Sequence, residues 1–275
     1  MTSVGKEPES KQYGRSDVRY DLLGRTAIIE SRGSRAKAKA AAQKLMKFDR
    51  RIQTVLLKAG PVEGRYRTRK LSYLAGKRGY IVEYRENGCL FRFDPRKTFF
   101  SSRLSFERSR ILGLSKDNED VCVMFAGAGP FAIELAKKFK GSIITAIEEN
   151  PASVEYMKEN TKLNKTPNVI PVKGDVKKVA RNYKDSFDRI IMPLPWSSLD
   201  FLDQALIVAK KSATVHIYIF GKTEGLEAKS WKTISAHAER KKYKARMLFS
   251  RKVRTYSATE TEIVIDYRIT KRTTA

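Results

Sequence analysis

Residues 121–131 read VCVMFAGAGPF, and this stretch decides the fold. Four apolar residues, Val121 to Met124, form a strand that ends abruptly in Phe125-Ala126-Gly127-Ala128-Gly129-Pro130-Phe131. Glycines here let backbone approach a ligand where a Cβ would clash, and Pro130 suits the first turn of a helix. A strand, a glycine turn and a helix in that order are the opening of a nucleotide-type site. The turn alone fits dinucleotide folds and plain tight turns equally well.

The following strands sharpen it. SIITAIEEN ends in Glu148-Glu149-Asn150-Pro151, about 20 residues past the turn, where an acid can accept from the two hydroxyls of an adenosine ribose. VIPVKGD ends in Gly174-Asp175, where an acid can meet an adenine amino group. DRIIMPLP ends in Pro193-Leu194-Pro195-Trp196, a stiff turn at a fourth strand end. The GxGxxG spacing lacks its third glycine, which argues against a pyrophosphate-bearing cofactor and for S-adenosylmethionine. Taken singly, each acid also fits an exposed helix start, and the two prolines fit a simple strand terminator.

Between the strands lie helical patterns: FAIELAKKF, ASVEYMKENTKLNK and LDFLDQALIVAKK. LSFERSRILGL precedes the first strand as a helix, and ATVHIYIF is a further strand. KARMLFSRK and ETEIVIDYRI are expected to close the chain as an antiparallel hairpin. Strands alternating with helices of this length predict an α/β, Rossmann-like doubly wound sheet over residues 99–275.

Upstream the pattern changes. Residues 16–30 read as one strand with an apolar end, and residues 34–48 as an Ala/Lys-rich helix with a basic face. IQTVLLKAG, RKLSYLAG, YIVEYREN and CLFRFDP alternate as short strands, and Asn87-Gly88 between the last two signals a tight hairpin. Residues 16–98 are therefore expected to be a small α+β domain, to which the charge and the resemblance given below add RNA recognition, and residues 1–15 a disordered tail.

Lys and Arg number 56 against 30 acids, a net charge of +26 spread along the whole length. That excess implies a polyanionic partner bound through phosphates, or else a merely basic surface. MTSVGKEPES carries no apolar stretch that would serve as a signal peptide, and no run reaches the roughly 18 apolar residues of a membrane span. Two cysteines, Cys89 and Cys122, and two histidines, His216 and His237, give neither a disulfide framework nor a zinc cluster. A reducing cytoplasm, no metal and no membrane or DNA partner follow as expectations, with the chain taken as a monomer.

Together these motifs resemble the archaeal and eukaryotic tRNA (guanine-37-N1) methyltransferases over residues 17–268. The small domain carries the resemblance in Tyr20-Asp21-Leu22-Leu23-Gly24, Gly64-Arg65-Tyr66-Arg67-Thr68-Arg69 and Glu86-Asn87-Gly88. The junction carries it in Phe99-Phe100-Ser101-Ser102-Arg103-Leu104 and Glu107-Arg108. The rest lies in MFAGAGPF, AIEENP, residues 159–164 (ENTKLN), DRIIMPLP and Val253-Arg254-Thr255-Tyr256-Ser257.

The resemblance implies a class I methyltransferase acting on the anticodon stem-loop of tRNA at position 37. It places the cofactor, S-adenosylmethionine, against Phe99, Arg103, Phe125, Gly127, Gly129, Phe131, Glu148 and Asp175. RNA contacts fall to Arg65, Arg67, Arg69 and Arg103, and Pro193 and Pro195 join the catalytic set. Guanine N1 carries a proton at neutral pH, so methylation needs a base to remove it and a cation to stabilise charge on O6. By motif position the base falls on Glu107 and the cation on Arg67. The rival for Glu107 is a helix-turn ion pair with Arg110 or Arg103, worth a few tenths of a kcal/mol. Arg67 has ordinary phosphate contact as its rival, and Phe131 a place in the core.

Two departures matter. Pro193 stands where the commoner family loop has Asn, as in the archaeal subgroup of wyosine synthesis, whose members also methylate C7 of a tricyclic precursor at position 37. Val123 stands where many relatives have Asp. Longer members carry a further N-terminal domain, so this chain is expected to rely on its charge and on the anticodon region. Aminocarboxypropyl transfer with the same cofactor at the same tRNA position is the nearest alternative. A non-catalytic RNA-binding protein on this fold, or a methyltransferase acting on protein or small molecules, is a different class. Charge carries the first prediction: tRNA affinity falls steeply from 50 to 200 mM salt in a filter-binding titration, and a flat profile would remove RNA from the reading.

Overall fold

The computed structural model describes residues 20–31, 33–66 and 68–272, with backbone alone at 61–63. The tail expected at 1–15, and Arg67, lie outside the described residues. The chain forms two compact units, Met1–Arg110 and Ile111–Ala275. The division therefore falls inside a helix.

In the first unit, β1 (Tyr20–Leu23) and β2 (Thr26–Ile29) form an antiparallel hairpin. Residues 16–30 were expected as one strand, and the described part instead turns back at Gly24. Its φ is +57°, and a Cβ there would lie 1.9 Å from the Glu83 carbonyl oxygen. A single glycine without an Asn or Asp neighbour is a weak turn signal, and only the packed carbonyl shows why it is needed.

Helix α1 (Arg35–Phe48) follows, with the Ser34 hydroxyl accepting from the Lys37 N–H at 3.3 Å. Its buried residues Ala38, Ala42 and Leu45 form one stripe, packed with Ile29, Val55 and Leu74. β3 (Thr54–Glu63) returns parallel to β2, and β4 (Thr68–Gly76) closes the four-stranded sheet in the order β1-β2-β3-β4.

β5 (Val82–Glu86) and β6 (Cys89–Phe93) are the expected hairpin. Asn87 and Gly88 both have positive φ, +45° and +74°, as the tight primed turn requires. Phe100 stacks on Phe93 at 4.5 Å, and Arg108 forms a buried fork on Glu86 at 2.5 and 2.7 Å. These contacts fasten residues 100–108, with the first turns of α2 (Ser105–Leu114), to the hairpin.

The second unit holds a seven-stranded sheet. Its elements are β7 (Asp120–Met124), α3 (Pro130–Lys138), β8 (Ile143–Glu148), α4 (Pro151–Leu163), β9 (Val169–Lys173) and α5 (Val176–Val179). They continue as β10 (Phe187–Met192), α6 (Leu202–Val208), β11 (Ala209–Lys222), α7 (Leu226–Arg240), β12 (Tyr243–Thr255) and β13 (Glu260–Lys271). The order is β12-β13-β11-β10-β7-β8-β9, with β11 through β9 parallel and the last hairpin antiparallel. This is the Rossmann-like sheet with a C-terminal hairpin that the sequence predicts.

The helix expected over 199–211 ends at Val208, and Ala209-Lys210-Lys211 already belong to β11. The Lys210 ammonium bridges Asp120 at 2.8 Å and Asp188 at 2.7 Å, which fixes the start of β11 beside β10. Both acids are distant in sequence, so the helix-like pattern gave no warning. Helix α7 went unread, although Ser230, Ile234 and Ala238 form its buried stripe.

A buried polar chain crosses β10, β11 and β13. Arg189 grips Glu119 at 2.8 and 2.9 Å and reaches His216 Nε2 at 2.6 Å, while His216 Nδ1 meets Asp266 at 2.7 Å. A guanidinium only donates, so Nε2 accepts and Nδ1 carries the proton to Asp266. His216 thus keeps strands in register and does not serve as a base. Gly24→Ala is expected to cost about 2–5 kcal/mol, from left-handed backbone plus overpacking against a carbonyl. Urea unfolding checks this, and an unchanged midpoint would mean the Glu83 carbonyl does not confine the turn.

Candidate active site

Strand order reverses at β7. The chain moves from β7 to β8 and β9 on one side, then places β10 on the other. Open α/β sheets bind ligands in the crevice at such a reversal, outside the carboxyl ends of the strands. The glycine turn leaves β7 there and the proline turn leaves β10 there.

The glycine turn is held by specific bonds. Phe125 has φ +57°, Gly127 +58° and Gly129 +88°, so three of five residues are left-handed. Left-handed backbone at a non-glycine residue costs of order 1–3 kcal/mol and clusters at functional sites. The Phe125 ring offsets some of this by packing edge-on against Phe201 at 4.7 Å. Ala126 N–H donates to the Ile147 carbonyl, and Gly129 N–H to that of Ala126, both at 3.0 Å. The Ala128 carbonyl accepts from the fully buried Asn160 amide at 3.2 Å. Asn160 was noted only as part of a family segment; its task is to hold the turn from α4.

Glu148 supplies the central contact. Its Oε2 accepts from Gly127 N–H and its Oε1 from Asn150 N–H, each at 2.8 Å. Asn150 in turn caps α4 by accepting from Ala152 N–H. The Glu148 carbonyl accepts from Gly174 N–H at 2.9 Å, which ties the ends of β8 and β9 together. Asp175 stands next along this edge and caps α5, accepting from Lys177 N–H at 2.9 Å. A ribose diol suits a carboxylate beside a turn in which Gly127 and Gly129 carry no Cβ. A pyrophosphate fits poorly, because Pro130 removes an N–H from the first turn of α3. Phe131 is buried, with the Tyr218 ring 6.1 Å away.

The proline turn is equally fixed. The Ser198 hydroxyl faces the carbonyls of Leu194 at 2.7 Å and Met192 at 3.1 Å, and its single proton favours the nearer. The Pro195 carbonyl accepts from Phe220 N–H at 2.8 Å. Pro193, Leu194 and Pro195 are half-buried, whereas Trp196 is 47% exposed.

The remaining residues belong to the first unit. Glu107 is buried, and its Oε2 accepts from Arg110 at 2.9 Å, so the ion pair weighed against a base is present. Arg103 meets Asp21 at 2.5 Å, and Lys58 meets the same carboxylate at 3.1 Å. Burial works against ionisation of Asp21, but these two cations outweigh it and hold its carboxyl below the usual range. Phe99 is exposed, as is Arg65, and Arg69 is half-buried. The buried Glu86–Arg108 pair was missed as a pair, although both residues stood in quoted motifs.

A family model described as the TRM5/TYW2 methyltransferase domain matches residues 82–246. The tRNA (guanine(37)-N(1))-methyltransferase Trm5b of Pyrococcus abyssi is 36% identical over 253 residues, covering 91% of this chain and 74% of that protein. The tRNA(Phe) (4-demethylwyosine(37)-C(7)) aminocarboxypropyltransferase of Methanocaldococcus jannaschii is 30% identical, covering 90% and 97% respectively. The crystal structure of M. jannaschii TYW2 in complex with AdoMet superposes with a TM-score of 0.73 at 28% identity, covering 92% of this chain and all of that one.

Burial pushes the Glu148 carboxyl above the ordinary glutamate value of 4.5, against the pull of the N–H groups of Asn150, Gly127 and Glu149. From about pH 4.5 up to the raised value, the native state therefore keeps a proton that the unfolded chain has released. Native stability falls as pH rises through that window and levels off above it. Glu148→Gln removes this slope, so urea unfolding from pH 4.5 to 7 should show wild type losing stability relative to the variant. Parallel pH profiles would mean the carboxyl is not raised.

Proposed function

We propose, from the premise that the chain belongs to the TRM5/TYW2 methyltransferase family, that it methylates N1 of guanine 37 in tRNA with S-adenosylmethionine as donor. The observation that carries this reading is the Glu148 carboxylate seated against the Gly127 N–H at the strand-order reversal. Bound there, S-adenosylmethionine supplies an activated methyl group on a sulfonium. Glu148 would accept from its ribose hydroxyls, Gly127 and Gly129 would allow close approach, and Asp175 would accept from the adenine amino group. Phe125, Phe131, Phe99 and Arg103 would add the remaining contacts.

Glu107 removes the N1 proton, and its carboxylate is oriented by Arg110. Arg67 stabilises the charge that develops on guanine O6. Pro193 and Pro195 stiffen the turn that presents the target base, since neither ring can relax its φ. Arg65, Arg69 and Arg103 hold the anticodon stem-loop through phosphates, with residues 16–98 as the RNA-recognition domain and 99–275 as the methyltransferase domain. The chain works as a cytoplasmic monomer, without metal, DNA or membrane. Among the described residues no helix is long and apolar enough to cross a membrane, and Cys89 and Cys122 are free and buried.

Pro193 favours a second methylation, at C7 of the tricyclic wyosine precursor at the same position, because the turn has no Asn side chain reserved for guanine. The likeness to an aminocarboxypropyltransferase of nearly equal length supports the other outcome at that carbon. Incubating the protein with labelled donor and unmodified tRNA, then mapping the nucleoside by mass spectrometry, tests all three. Methylthioadenosine as by-product would sink methyl transfer. Glu107→Gln is expected to lower turnover by about 10²-fold or more while tRNA still binds; full turnover would remove Glu107 as the base.

A further inference from the structure

Beyond the cofactor crevice, three aromatic rings converge from different parts of the second unit. Trp196 follows the proline turn, Phe220 lies on β11, and Tyr256 follows β12. Trp196 and Phe220 have centroids 3.6 Å apart at 35°, and Phe220 meets Tyr256 edge-on at 4.9 Å. Despite this clustering, Trp196 is 47% and Tyr256 40% exposed. The Arg254 guanidinium lies 4.3 Å from the Tyr256 ring centre. Its Nε is shielded from water without a hydrogen-bond partner among the described residues.

The cluster is rigid. Pro195 accepts from Phe220 N–H, the Tyr256 hydroxyl donates to buried Glu262 at 3.0 Å, and Tyr256 N–H donates to the Glu260 carbonyl. Arg254 is fixed from β13, its carbonyl accepting from the Thr261 hydroxyl at 2.8 Å. Rings held this firmly yet left open to solvent gain nothing for the fold from their outer faces. A preorganised aromatic face loses little entropy when a flat partner stacks on it.

Charge selects that partner. The strand leading to Tyr256 carries Lys244, Arg246, Arg251, Lys252 and Arg254, with Lys244, Arg246 and Lys252 exposed. Aromatic rings beside a cationic track are what single-stranded nucleic acid binds, bases on the rings and phosphates on the cations. Resting on the RNA reading above, we propose that Trp196, Phe220 and Tyr256 form a stacking platform for an unpaired base adjoining the target nucleotide, with Arg254 taking its phosphate. The platform begins one residue after the proline turn, so a base stacked there fixes the strand beside the turn that presents the target.

Trp196 and Trp231 are the two tryptophans of the chain, so Trp231→Phe leaves Trp196 as the reporter. Binding of an anticodon stem-loop RNA should quench its fluorescence. An abasic nucleotide on one side of the target should abolish the quenching and weaken binding about tenfold, the usual effect of one lost stack. Trp196→Ala should weaken intact RNA about tenfold, leave the abasic RNA unaffected and keep cofactor affinity, and Trp196→Phe should restore most of the loss. Quenching that survives both abasic substitutions, or equal affinity of Trp196→Ala for intact RNA, overturns the platform. If wild type binds no stem-loop RNA, the RNA reading itself fails; if it binds and methylates RNA without regard to Trp196, only the platform does.

Discussion

The carboxylate of Glu148 organises the functional half of this protein. It accepts from the turn after β7 with one oxygen and from the start of α4 with the other. The turn it holds contains three left-handed residues, a conformation that dissipates unless its surroundings fix it. Asn160 from α4 and Ile147 from β8 complete the hold. Both oxygens of Glu148 accept from backbone N–H groups of the fold itself. Its raised proton affinity follows from its burial, which outweighs the pull of those N–H groups.

Around that anchor, the other turns at this edge are made stiff by different means. Prolines and the Ser198 hydroxyl fix the turn after β10, and an acid cap fixes the one after β9. Each device is local, yet all stand at carboxyl ends of parallel strands, where the sheet leaves a crevice. In the first unit the corresponding anchor is the Glu86–Arg108 pair, buried and bidentate. Removing one partner of such a pair leaves a charge stranded, which costs about 3–5 kcal/mol. It secures the helix start that carries Glu107.

Reading the chain in order found the α/β sheet, the C-terminal hairpin and the Asn87-Gly88 turn, because each leaves a short-range pattern. It missed the Gly24 hairpin and the early start of β11. In each case the cause is a contact with a residue far along the chain: the Glu83 carbonyl, and the pair Asp120 and Asp188. The aromatic cluster was equally out of reach, since Trp196, Phe220 and Tyr256 lie on three separate stretches whose likeness to a platform exists only once β11 and the last hairpin pair.

What the sequence by itself determined is the chemistry available: a basic chain, a glycine turn, acids at two strand ends and a proline turn, in the order of one enzyme family. These are local because glycine, proline and charge act on their own backbone and its immediate neighbours. The tertiary structure alone decided which partner each of these groups meets. It turned His216 into a strand tether, gave Asn160 the glycine turn and paired Glu107 with Arg110. The physical reason is that a polar side chain's role is set by the partner it meets when desolvated, and that partner is chosen by the packing of distant segments.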